Sequence, residues 1–341
     1  ISNLYTREKD TENAEKALLR GVEVDPASRC YDLLIQASRR YITNKEYEPA
    51  VRVLEPLHRI RPDDFDVTDR LFLAKLDPEL MNAVMAGGLT TFVMMSFFLG
   101  LIGYTTAFVA QYLGARRKSA CARVVTQALL VSLAAYPLVL LARPLVFHGL
   151  AHMGLSEEQR LPQILYMNLL LYGSILGFMR SALCGFFSGI GRTRVVMVSS
   201  IAAMAVNVAL CYLFVFGAWG FPALGIRGAA YATLTGSAVA FLILVGAYFS
   251  RDNREEYGIK ESFRFDAPLM GRFWRFGSPA GFEVALNTLA FNLMILTFQG
   301  LGPVTATATT IVFNWDFVSF VPMLGVGIGV TSLVGRFMGA G

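Results

Sequence analysis

The chain has 341 residues, 55% of them hydrophobic and 16% charged, with a mean hydropathy of +0.50. Soluble domains carry about 25% charge, so a wholly soluble protein is excluded, and the formal net charge of +5 calls for no nucleic-acid partner. Cys30, Cys121, Cys184 and Cys211 are too scattered for a disulfide framework or a zinc cluster.

Charge is unevenly placed. Residues 1–79 hold 13 of the 30 Lys and Arg, so a charged head precedes an apolar body. In the head, AEKALLRGVEVDP (Ala14 to Pro26) and AVRVLEPLHRIRP (Ala50 to Pro62) keep the same Ala-to-Pro distance, 36 residues apart. Residues 31–47 supply an intervening helix with Leu33, Leu34 and Ala37 on one face. An early Ala and a closing Pro at this period resemble the tetratricopeptide repeat, and the resemblance implies a peptide or protein partner. Under two repeats are present, where about three are needed for a stable stack. The other reading of residues 1–66 is a tail joined from another gene or reading frame.

Seven stretches are long and apolar enough to span a bilayer: 82–113, 120–142, 161–190, 195–217, 226–249, 276–299 and 303–335. Pro137 and Pro322 fall inside spans and are expected to kink them. Basic residues follow alternate spans: Arg116, Arg117 and Lys118 after the first, Arg192 and Arg194 after the third, six after the fifth and Arg336 after the seventh. By the positive-inside rule these loops are cytoplasmic.

Residues 100–115 and 325–340 share a register. A shift of 225 superposes Gly100 on Gly325, Thr106 on Thr331 and Gly114 on Gly339, and reaches back to Pro78 on Pro303. This is an internal duplication. The clear span 276–299 maps back onto residues 51–74, which carry nine charges and cannot cross lipid. Twelve helices in two sixes is the expected whole, of which this sequence holds seven and reads as a fragment.

The body, about residues 67–341, resembles the MATE (multidrug and toxic compound extrusion) transporters. The likeness rests on VTDRLFLAKLDPELMNAV, AQYLGARR, GFFSGIGRTRVVM, the run from VNVALCYLF to GIRGAAYAT, and FGSPAGFEVALNTLAFN followed by LGP. It implies an all-α polytopic bundle of two six-helix lobes around a central cavity, divided here as 1–66, 67–275 and 276–341. It also implies a multi-pass protein of the cytoplasmic membrane, surrounded by lipid. Such a protein exports organic cations against inward H⁺ or Na⁺ without any further cofactor, and it is not an enzyme. No G-x-x-x-x-G-K-[ST] occurs, so ATP does not drive transport by this chain.

Ionisable residues within spans are costly and mark function. Asp69 matches the family's coupling aspartate, although the helix that would present it is mostly missing. Glu283 lies one turn before Asn287, where the family often has its acid; it is either that acid displaced or a solvated residue near the cytoplasmic interface. Asp316, in FNWDF, has Thr91 as its duplicated counterpart, so its charge is an addition to one copy; it serves either a cationic substrate or an interhelical hydrogen bond. Asn207 matches a family asparagine that helps bind sodium in some members, but Cys211 replaces the aspartate one turn later and tilts coupling toward H⁺. Gln111 reads as structural or gating, and Arg180 as a counter-ion or a snorkelling side chain. His148 and His152 lack a third ligand. A lipid-linked oligosaccharide flippase of the same superfamily is the alternative function, and a membrane-anchored tetratricopeptide adaptor without transport is another. In-span acids outnumber in-span bases, which favours cations.

Overall fold

The computed structural model describes residues 11–25, 29–44, 46–61, 64, 67, 78–151, 157–216 and 224–341. They are helical almost throughout, with no strand among them. The chain divides into two compact units, Ile1–Met81 and Asn82–Gly341.

The first unit contains α1 (Thr11–Val24), α2 (Arg29–Thr43) and α3 (Tyr47–Ile60). Each puts apolar residues on one stripe, and the stripes close around Val22, Leu34, Val53, Leu54 and Leu57. The two repeated alanines, Ala14 and Ala50, are both buried. Tyr31 donates to the Asp64 carboxylate at 2.5 Å, and the Arg61 guanidinium lies 4.9 Å over the Tyr31 ring. Tyr41 donates to Glu15. Burial first, and that carboxylate second, push the Tyr41 phenol up to about 12.

The second unit is a bundle of spans. Its first is α4 (Pro78–Gly103, counted here from Asn82), continued after a turn at Tyr104 by α5 (Thr105–Gly114). Then come α6 (Lys118–Ala151), α7 (Glu157–Tyr172), α8 (Ser174–Gly189), α9 (Thr193–Phe216) and α10 (Ile226–Tyr248). A short α11 (Arg251–Tyr257) and a 3₁₀ turn (Ile259–Ser262) lead to α12 (Ala267–Gly300) and α13 (Pro303–Ala340). Among the described residues six helices are long and apolar enough to cross a membrane, and α7 with α8 forms a seventh span bent by 52°. These are the seven expected stretches.

Helix runs on through Pro137 and Pro322, and among the described residues a break bent by 52° lies at Gly173 in the third span. There a Cβ would lie 2.0 Å from Leu234 Cδ2, the tip of a side chain of α10. The sixth span also starts nine residues earlier than its apolar run. Asp266 caps α12, its Oδ1 accepting from Leu269 N at 3.0 Å, with Pro268 in the first turn. The basic residues Arg272 and Arg275 consequently ride on helix rather than loop.

The duplication is visible as pseudo-symmetry. Asn82 donates to Thr307 at 3.3 Å, a pair separated by 225 residues, and a Cβ on Gly335 would lie 3.0 Å from that of its counterpart Ala110. Only atoms beside a two-fold axis can touch their own counterparts. Two such points, one near each end of the helices, set the axis along them, as expected of parallel repeats related about the membrane normal. Off the axis the contacts come in reciprocal pairs. A Cβ on Gly114 would meet Arg336 O at 2.1 Å, and one on Gly339 would meet Gln111 O at 2.0 Å. In lipid, helix association depends on such small-residue seams.

The four basic loops meet at one end of the bundle. Glu256 accepts from Lys118 at 2.8 Å and from Arg192 at 3.0 Å, Arg192 also donates to Asn253 Oδ1 at 2.6 Å, and Arg336 donates to Ile190 O at 3.1 Å. The Lys118 ammonium first, and Arg192 with it, hold the Glu256 carboxyl below its ordinary value.

Two measurements test this packing. Gly339→Val is expected to cost ~1–3 kcal/mol through overpacking, read as a lower thermal midpoint in detergent. Gly329→Ala, where nothing lies within 4 Å, should leave the midpoint unchanged or raise it. Because its folded pKa is depressed, Glu256 contributes stability above the ordinary carboxylate range, and that contribution is lost as pH falls through the folded value. Glu256→Gln is therefore expected to lower thermal stability at pH 7 and to leave it unaltered at strongly acidic pH.

Candidate functional site

Between α4, α12 and α13 lies a cavity of about 670 Å³. From α4 it takes Met85, Gly88, Leu89 and Phe92, the i, i+3, i+4, i+7 stripe of a single helix face. From α13 it takes Asp316, Phe320 and Leu324, one per turn, and from α12 it takes Asn287, Thr288 and Phe291. The wall is apolar and aromatic except for three polar side chains, and one of those, Thr288, is spent on Val284 O at 2.7 Å. Asp316 is the only charged residue in the lining. Thr91, its counterpart across the pseudo-axis, turns its hydroxyl onto Gly87 O of its own helix at 2.8 Å. The duplicated scaffold thus supplies two equivalent positions and only one of them carries charge.

The structure brings together two of the candidate residues, Asn287 and Asp316. Glu283 is exposed on the same face of α12 as Asn287, one turn nearer the basic end, outside the cavity lining. Asn207 lies on α9, donating to Thr233 Oγ1 of α10 at 3.3 Å, and does not line the cavity. Arg180 donates from Nη2 to Ser200 Oγ at 3.4 Å, while its buried Nε finds no partner among the described residues. Gln111 forms the backbone seam with Gly339. It also edges a second, basic cavity of about 710 Å³ shared with Arg116, Arg117 and Arg272. Asp69 and His152 fall outside the described residues.

One polar cluster escaped the sequence reading. Asn82, one turn before the cavity residue Met85, accepts from Thr310 at 2.8 Å while donating to Thr307. Its carbonyl accepts from Gln299 at 3.4 Å, and Gln163 donates to Gln299 Oε1 at 3.2 Å. Asn82, Gln163, Gln299 and Thr310 are all buried. A second bond links the same elements, from Thr90 to Asn292 at 3.3 Å. The available signal was the pairing of Asn82 with Thr307 at the duplication offset, two polar residues where apolar ones would suffice. Asn82→Ala removes the Oδ1 acceptor of Thr310 and the amide donor to Thr307 from a dry interior, while the backbone carbonyl that Gln299 uses remains. A loss of ~1–3 kcal/mol is expected, measurable as a drop in thermal midpoint that Thr309→Ala does not reproduce.

Comparison with known proteins places this arrangement. The MatE family model matches residues 65–213 and 279–341. The chain is 28% identical over 246 residues to "Probable multidrug resistance protein NorM" of Bacillus cereus, covering 71% of the chain and 54% of that protein. It is 30% identical over 287 residues to "Multidrug resistance protein PmpM" of Pseudomonas aeruginosa, covering 80% and 58% respectively. The chain therefore spans a little over half the length of these relatives. Among solved structures, the MATE multidrug transporter DinF-BH superposes with a TM-score of 0.68 at 20% identity, over 78% of this chain and 59% of that one. An outward-facing MATE family transporter of the MOP superfamily gives 0.66 at 22% identity, over 85% and 62%. With seven apolar spans, a duplicated α4–α5/α13 scaffold and these matches, the chain is a multi-pass membrane protein belonging to the MatE family of transporters.

Proposed function

We propose that this chain is part of a secondary transporter that exports organic cations in exchange for inward H⁺ or Na⁺, with Asp316 as the group for which substrate and coupling ion compete. The observation that carries this reading is the single carboxylate in an aromatic-lined cavity at the junction of the two repeats. A flat cation can stack on Phe92, Phe291 or Phe320 while its charge meets Asp316. Protonation or Na⁺ binding would neutralise the same carboxylate and release the cation. Asn287 adds a neutral donor and acceptor beside it. Glu283, one turn nearer the basic end, and Asp69 are further acids for the same ion pathway. Asn207 with Thr233 offers only neutral oxygens, and Cys211 stands where an aspartate would strengthen a Na⁺ site, which favours H⁺. The names of the curated relatives, multidrug resistance proteins, agree with such a substrate class.

The flippase alternative calls for basic side chains to meet a lipid-linked phosphate, and no Lys or Arg lines this cavity. The lobes proposed for the transporter are residues 67–275 and 276–341. Residues 1–66 are proposed as a separate helical module that docks a peptide or protein partner, since both repeated alanines are buried as a packed repeat needs.

Ethidium efflux from energised cells expressing the gene that encodes this chain is the test. Asp316→Asn, at unchanged membrane abundance, is expected to reduce efflux at least about tenfold, the effect of losing a charge-assisted contact of ~1.5–3 kcal/mol. Efflux that follows an imposed pH gradient and ignores a Na⁺ gradient identifies the ion as H⁺. Unaltered efflux in the variant would remove Asp316 from the mechanism.

A further inference from the structure

We propose that the second unit holds one anionic phospholipid of the cytoplasmic leaflet, with an acyl chain in a groove between α6, α8 and α10 and the phosphate against the segment that follows α10. This stands apart from the transport cavity and shares no lining residue with it.

The groove encloses about 330 Å³ and its walls are formed by apolar side chains, among them Leu129, Leu133, Leu183, Phe241 and Val245. Leu133 is half exposed, so the groove gives onto the lipid-facing side of the bundle. Its rim at the basic end is aromatic. Phe249 and Phe263 stack with centroids 6.0 Å apart and planes 7° from parallel, each leaving about half its surface uncovered. Exposed rings at that height mark the membrane interface, where aromatic side chains sit at headgroup level.

Tyr248, 1% exposed and part of the lining, turns its hydroxyl toward Ser262 and so ties the groove to the segment that follows α10. Ser262 itself donates to Ile259 O at 2.7 Å and pairs with Thr126. Above the groove lies charge of the right sign. Lys260 and Arg264 are exposed and form no ion pair among the described residues, with Glu261 the one acid between them. The backbone of Arg264 is pinned by Gln127 Nε2 donating to its carbonyl at 2.9 Å. The neighbouring Arg251 and Arg123 are already engaged by Glu255 and Asp266. Two uncommitted cations over an apolar groove are complementary to an anionic lipid.

The chain purified in mild detergent and examined by native mass spectrometry tests the site, with phosphatidylglycerol and phosphatidylcholine of identical acyl chains as probes. Retention of one phosphatidylglycerol about tenfold over phosphatidylcholine is expected from two nearby basic residues. The Lys260→Glu/Arg264→Glu double variant changes exposed side chains only and is expected to abolish that preference. Val245→Trp, which fills the groove, should lower retention of both lipids. Equal retention of the two headgroups by the unaltered chain overturns the proposal, as does a preference that survives the double variant.

Discussion

The seam between α5 and α13 is the constraint from which the rest of the transmembrane unit follows. Two helices that must lie backbone to backbone can do so only where side chains are absent, and Gly114 and Gly339 provide those absences at duplicated positions. The contact is reciprocal because the sequence is repeated: the glycine of each copy sits on the backbone of the other, at Arg336 and Gln111. Hydrophobic burial does not distinguish helix from lipid, so van der Waals fit at this seam carries the orientation of the two copies. At the far end the Asn82 cluster supplies a polar counterpart, where the penalty for an unpaired donor takes the place of close fit.

Held at both ends, α4 and α13 leave a space between them, and α12 closes its side. α12 approaches α4 through a second small-residue contact, with Gly281 against Phe97 O and Gly277 against Leu101. At its N-terminus it is tied to α6, since Asp266 N donates to Gln127 Oε1 at 3.3 Å. The cavity is thus a consequence of helices being fixed elsewhere. That permits its lining to be chosen for chemistry: three phenyl rings, an amide and one carboxylate. A charge in so apolar a wall is costly to keep, which is the physical reason behind the proposal that Asp316 serves binding rather than packing.

The segment between α10 and α12 ties the basic loops into one surface through Glu256, Arg192 and Lys118. Its buried Tyr257 packs edge-on against Phe186 at 5.2 Å, so the ion pairs sit above an aromatic core that already fixes α11. Loops that hydropathy alone would leave unstructured are in this way part of the bundle.

Much of this protein was legible in the sequence, because the bilayer imposes a length and a polarity on every span and the duplication fixes which residues correspond. The seven spans, their alternating charge and the equivalence of Gly114 with Gly339 need no coordinates. The acids were legible too, as rare charges in apolar runs. What sequence alone left open was which of them share a space. Asn287 and Asp316 line one cavity while Asn207 is drawn to Thr233, because helix neighbours are set by small-residue contacts between segments far apart in the chain. The third span is also bent by 52° at Gly173, a break that no proline in the sequence reading marked. Span number and repeat register are local or periodic properties, and the sequence by itself determined them; the composition of the cavity and the buried Asn82 cluster depend on which helices touch, and only the tertiary structure decided that.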